Sequence, residues 1–133
     1  MIYNRYSMIL RIKVLTIFAA IYGFLAVALG AFGAHVLEKR LSLLGTTEVW
    51  KTAVDYQIWH TLAIFILAFS GLGNLATRIS GTCFCLGIPL FSGSLYCLAL
   101  GGPIWLGPIT PIGGLSFMSG WVLTIFAILG KKK

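Results

Sequence analysis

An all-α integral membrane four-helix bundle is predicted by three features of this 133-residue chain. Four apolar stretches run roughly over 14–34, 53–72, 79–100 and 112–129. Each reaches or approaches the ~20 residues that a helix needs to cross a ~30 Å hydrocarbon layer. Apolar residues make up 59% of the chain and charged residues only 10%, against about 25% charged in soluble domains. The basic residues, ten Lys and Arg against three acids for a formal charge of +7, gather at span ends. A soluble domain of this length lacks the polar surface to hide four such segments.

Charge placement sets the expected orientation. Four spans put both termini on one side, together with the short link near Arg78. That side holds Arg5, Arg11, Lys13, Arg78, Lys131, Lys132 and Lys133, while the other holds Lys39, Arg40 and Lys51. Short loops rich in Lys and Arg stay cytoplasmic. Both termini are therefore expected in the cytoplasm, with residues 1–13 as an N-terminal segment ahead of a single domain over 14–133. No basic stripe is long enough to track a phosphate backbone, so nucleic acid is not expected as a partner. The cations read as anchors facing anionic headgroups of the lipid bilayer.

The first stretch has the outline of a secretory signal, with basic residues before it and Ala31-Phe32-Gly33-Ala34 as an A-x-A site. It is, however, longer than a signal core of roughly 7–15 residues. Ala19, Gly23, Ala26, Gly30 and Gly33 recur at intervals of four, three, four and three. That makes one narrow stripe, which lets another helix backbone come close. The span is expected to be retained and packed.

The purely apolar part of the second stretch, from Ile58 to Leu72, is short for a crossing. Its helix must therefore take in Ala53 to Gln57, which draws Gln57 and His60 below the headgroups. Ala53, Tyr56, Gln57, His60 and Ile64 share one face by their spacing of three and four. Thr46 or Thr47 is expected to cap this helix, with Glu48 in its first turn. Lys51 is expected to pair with Asp55 at i+4.

In the third stretch, Pro89 lacks an amide hydrogen and its ring clashes with the carbonyl of Cys85, so a bend is expected. Ser92 and Ser94 can satisfy freed backbone groups or bond to a neighbouring helix. A broken helix at a transporter site is one reading, and a packing kink is the preferred one. The fourth stretch carries Gly113, Gly114, Ser116, Ser119 and Gly120 as a second small-residue face. Trp50, Trp59, Trp105 and Trp121 are expected as interface anchors, with Trp121 placed deep for that role.

Chemistry-bearing residues are few. Cys83 and Cys85 point about 200° apart on a helix and form no chelating pair, and Cys97 stands alone. No phosphate-binding glycine loop or nucleophile elbow occurs, so neither metal nor cofactor is expected. All three acids, Glu38, Glu48 and Asp55, lie around the connection between the first two spans. The topology brings His35, Asp55, Tyr56, Gln57, His60 and Thr110 toward the same outer face. One reading makes His35, Tyr56, Gln57 and His60 a wet cavity for a small polar ligand or a proton relay. The preferred reading makes them an interhelical hydrogen-bond network.

The segments Gly30-Ala31-Phe32-Gly33-Ala34-His35-Val36-Leu37 and Trp50-Lys51-Thr52-Ala53-Val54-Asp55-Tyr56-Gln57-Ile58-Trp59-His60 carry a resemblance. With Phe91-Ser92-Gly93-Ser94-Leu95-Tyr96, Ile109-Thr110-Pro111-Ile112-Gly113-Gly114 and Gly120-Trp121 in order, the chain resembles the domain of unknown function 423 family. Those are small bacterial inner-membrane proteins with relatives in the eukaryotic transmembrane protein 256 family. The match runs from about Val14, and residues 1–13 fall outside it, with Met8 as an alternative start. The resemblance implies a four-helix protein of the bacterial inner membrane and supplies no catalytic residues. The expected role is a non-enzymatic structural or accessory membrane component, self-associating or bound to another membrane protein. The alternative is a small-solute or proton-linked transporter with its site at the outer face.

Overall fold

The computed structural model describes residues 2–130. Met1 and the Lys131, Lys132 and Lys133 counted toward the cytoplasmic side lie outside the described residues, as do the side chains of Arg5 and Arg11. In chain order the elements are α1 (Ile2–Ala34), α2 (Glu38–Leu44), α3 (Thr47–Phe69) and α4 (Leu75–Ile88), then a π-helical turn (Pro89–Gly93). They are followed by α5 (Ser94–Ala99), a 3₁₀ turn (Ile104–Leu106) and α6 (Ile109–Leu129). Among the described residues there is no strand. Four segments among the described residues are long and apolar enough to cross a bilayer: Ile12–Ala34, Thr47–Phe69, Leu75–Ala99 and Ile104–Leu129.

The helix ends differ from the sequence reading for local reasons. No proline interrupts the chain between Ile2 and Ala34, so residues 2–13 continue the helix of the first span. The second span starts at Thr47, taking in the polar turns as the length argument requires, and stops at Phe69. Ser70 folds its hydroxyl back onto the Leu67 carbonyl, and Gly71 turns the chain with φ 67°. Asn74 then starts α4 early, its side chain accepting from the Thr77 amide at 3.0 Å.

Packing runs in the order α1, α3, third span, α6. α1 lies against α3, α3 against α4 and α5, and α4 against α6. α3 is therefore central, with 44% of its span residues buried against 11% for α1. The predicted face is seen: Ala53, Gln57, His60 and Ile64 are buried and Tyr56 is half-buried. The predicted glycine stripe is used within the chain. A methyl group on Gly33 would overlap the Trp50 indole, and Ala19 and Ala26 are fully covered. Along α4 and α6, Phe84 lies over Gly120 and Phe117 over Gly87. Ser80 donates to the Gly120 carbonyl and Ser116 to the Cys83 carbonyl, both at 2.8 Å.

Three local expectations are corrected. Thr46 stands at the start of α3, but its hydroxyl donates to the Ala99 carbonyl at 2.7 Å and caps nothing. Together with Arg40, which donates to the Leu100 carbonyl, it satisfies carbonyls left open where the third span ends. Lys51 pairs with Glu48 at 2.8 Å rather than with Asp55, because i+3 and i+4 partners compete and Glu48 completes the same exposed turn. Trp50 is not an outward anchor: it is buried and donates to the Leu29 carbonyl, whereas Trp59 and Trp105 face outward and the half-exposed Trp121 also bonds to His60.

Helix α2 was not foreseen. It is a two-turn lid over the C-terminal end of α1 and the N-terminal end of α3, anchored by fully buried Leu41. It ends at Gly45 (φ 67°), whose amide bonds back to Ser42 in a left-handed cap. The signal lay in the sequence, as a glycine just past a run of helix formers.

Candidate functional site

Gln57 sits about ten residues, or ~15 Å of helix, below the start of α3, where an unpaired amide is costly. Both ends of its side chain are used. Nε2 donates to the Tyr22 carbonyl at 2.8 Å, and Oε1 accepts from the Tyr96 hydroxyl at 3.0 Å. Gln57 thereby joins α1, α3 and α5. The Tyr22 hydroxyl continues the pattern, donating at 2.9 Å to the Cys85 carbonyl. That carbonyl is the one Pro89 leaves without its i+4 amide donor. A tyrosine from α1 thus repairs the break that the proline makes in the third span.

One turn further along α3, His60 joins α3 to α6. Trp121 can only donate, and its Nε1–H reaches His60 Nε2 at 3.2 Å. Nε2 is therefore unprotonated, and the proton belongs on Nδ1, which donates to the Tyr56 carbonyl at 2.8 Å. Its partners thus hold the imidazole as the neutral Nδ1–H tautomer. The ring lies flat on Phe117, with centroids 3.5 Å apart and planes 7° from parallel. Phe84 tilts against it and Tyr56 stacks on Phe91.

Beside this stack an open groove of about 640 Å³ runs between α3 and α6. Its lining is largely rings, from Tyr56, Trp59, His60, Phe91, Phe117 and Trp121, with Leu115 and Met118 at the rim. No ionised side chain lines it.

The predicted site residues do not form one cluster. Tyr56, Gln57 and His60 come together in the middle of the bundle. His35 lies in the exposed turn after α1. That turn is level with Trp50, because Gly33 packs there, and so about ten residues or ~15 Å of helix from His60. Asp55 is exposed on another face of α3. It lines a separate pocket of about 300 Å³ with Glu38, Trp50 and Lys51. Thr110 bonds to Ser94 at 2.7 Å and fastens the start of α6 to α5. The sequence reading missed Tyr22 and Tyr96. Both were discoverable, since a phenol in an apolar span needs an acceptor, and the Pro89 break left one open.

Comparisons with known proteins agree with this architecture. A family model described as protein of unknown function (DUF423) matches residues 29–114. The UPF0382 inner membrane protein YgdD of Escherichia coli (strain K12) is 45% identical over 125 residues, covering 91% of this chain and 93% of the relative. The UPF0382 membrane protein YwdK of Bacillus subtilis (strain 168) is 43% identical over 120 residues, covering 86% and 95%. The UPF0382 membrane protein SH2409 of Staphylococcus haemolyticus is 43% identical over 116 residues, covering 86% and 94%. No solved structure matches the chain.

Proposed function

From the premise that this chain belongs to the DUF423 family of multi-pass inner-membrane proteins, we propose that it is a non-enzymatic accessory component of the membrane. It acts by lateral association within the bilayer, with a second copy or another membrane protein. The observation that supports this most is the pairing at mid-membrane. Gln57 uses both ends of its amide and His60 both ring nitrogens on partners within the chain. Groups engaged in that way fasten helices, and both His60 nitrogens, the titratable ones of the pair, are taken up by partners within the chain. α1 is the natural associating element, since Phe24 and Val27 are 74% and 71% exposed on its outer side. A photo-crosslinking residue at Phe24 in native membranes is expected to give a protein adduct. Lipid adducts alone, with a monomer in mild detergent, would overturn the reading.

In the proposed orientation both ends are cytoplasmic, and α2 lies on the outer surface. Lys13 and Arg78 near one rim, against Lys39 and Arg40 in the α1–α3 connection, support it when the termini are counted. Cysteine labelling at Ser42 by a membrane-impermeant reagent in intact spheroplasts tests it, and protection there reverses the orientation.

One observation favours a solute-binding role at the outer rim. Asp55 has no ion-pair partner among the described residues and lines the 300 Å³ pocket with Glu38 and the buried Trp50. Under that reading Asp55→Asn abolishes solute uptake into reconstituted vesicles without loss of fold. Unchanged uptake would remove it.

A further inference from the structure

The groove between α3 and α6 lies beside the His60–Trp121 bond that joins these helices, and its chemistry is specific enough to name an occupant. We propose that it binds a neutral, flat-ringed lipid with ring carbonyls and an apolar tail, the chemistry of a membrane quinone. The inference goes beyond the accessory role above and does not depend on which protein covers α1.

Shape and lining agree. About 640 Å³ lies within the roughly 300–1,000 Å³ typical of small-molecule sites. The floor is the parallel His60–Phe117 pair with Trp121 edge-on to His60. One wall is Tyr56 stacked on Phe91 with ring centroids 4.5 Å apart, and Trp59 extends it at 5.1 Å from Tyr56. A lining made mostly of aromatic rings suits a planar ring, which gains from aromatic contact, better than a flexible acyl chain.

Charge complementarity decides the polar end. His60 cannot contribute, because both its nitrogens are occupied. The Tyr56 hydroxyl and the Trp59 indole N–H bond to no described residue and are not enclosed. Both residues line the groove with a donor that no described residue uses, so the complementary ligand carries acceptors. Ring carbonyls meet that need without carrying charge into the bilayer. A phospholipid headgroup does not, since its phosphate would face a lining with no cation, about 14–20 Å along α3 from Thr47. Access also fits. Trp59 is 55% and Met118 58% exposed on the outer side, so a lipid-phase molecule enters sideways without crossing water. The ring is bound, and no electron transfer is implied.

The test uses the full chain in phosphatidylcholine nanodiscs free of quinone, with decylubiquinone as the probe and decanol as the tail alone. Decylubiquinone is expected to raise the melting temperature saturably, as a ligand selective for the folded state must, and decanol is expected not to. Tyr56→Phe combined with Trp59→Phe removes both donors and keeps the rings. It is expected to raise the half-saturating concentration about tenfold. Met118→Phe, which fills the groove from its outer rim, is expected to remove the response while leaving helix content unchanged. It stands as the second test should the double variant fold poorly. No response from the unaltered protein, an equal response to decanol, or an unshifted response in a folded variant would each overturn the proposal.

Discussion

The two sides of α3 solve the same packing problem in opposite ways. Toward α1 the contact is closed, with Gly33, Ala26 and Ala19 letting the helix backbones approach and Trp50 seated tightly over Gly33. Toward α6 the helices are propped apart by rings, and a groove remains beside His60 and Phe117. Helices in lipid gain little from burying apolar surface, since the solvent is equally apolar. Contact must then come from close fit, from stacked rings or from polar bonds; α3 uses close fit toward α1 and stacked rings toward α6, with polar bonds on both sides. The difference lies in side-chain volume, not in hydrophobicity.

The same substitution on the two sides gives the sharpest test. Gly33→Ala places a methyl group inside the Trp50 indole, which also holds the Leu29 carbonyl. Either the ring or the helix must move, and overpacking of this kind costs about 1–3 kcal/mol. Gly114→Ala, on the groove side, meets only the Phe91 ring at an ordinary 3.8 Å. It is expected to change stability by less than about 0.5 kcal/mol, or to stabilise slightly through helix propensity. Unfolding titrations with SDS in mixed micelles measure both. Equal losses would show that the closed and open sides do not differ as described.

Gln57 comes next, because it crosses the closed side with polar bonds. Gln57→Ala removes both interhelical bonds, returns the Tyr22 carbonyl to its helical amide alone and leaves the half-buried Tyr96 hydroxyl without its acceptor. Interhelical bonds in membranes are worth about 0.6–2 kcal/mol each, so a loss of about 1–3 kcal/mol is expected. Tyr96→Phe removes only one of the two bonds and should cost about half as much. A Gln57→Ala protein as stable as the parent would show that this amide does not fasten the bundle.

Much of this was legible in the sequence, for reasons that separate the two sides again. Four apolar lengths implied four spans, because the bilayer thickness leaves little freedom. The Ala and Gly stripe on α1 and the Ala53-to-Ile64 face of α3 followed from helical spacing alone. Their mutual contact follows from the same geometry. The polar partners were harder. His35 and His60 look alike in composition, yet one ends in an exposed turn and the other in the core, because depth along a helix matters as much as face. Lys51 had two acids within reach, and spacing rules do not choose between them. The groove was invisible, since it arises from where Phe91, Phe117 and Trp121 meet from separate spans. The partners of Gln57 needed the Pro89 break and the phenols to be considered together.

His60→Phe offers a small effect and the finest discrimination, because His60 has two roles that this one substitution separates. His60→Phe keeps a flat ring on Phe117 and so preserves the stack that holds the groove open. It removes the acceptor for the Trp121 indole and the Nδ1 bond to the Tyr56 carbonyl. That carbonyl retains its helical amide partner from the same position, and Trp121 is itself about half-exposed, so neither group is stranded. The net cost is expected to be about 0.5–1 kcal/mol in the same SDS titration. His60→Ala removes the stacked ring as well and should cost about 2–4 kcal/mol, since the ring then leaves a void against Phe84 and Phe117. If the two variants are equally destabilised, the hydrogen bonds of His60 dominate. The open side would then be fastened in the same way as the Gln57 crossing, and ring volume would no longer distinguish it.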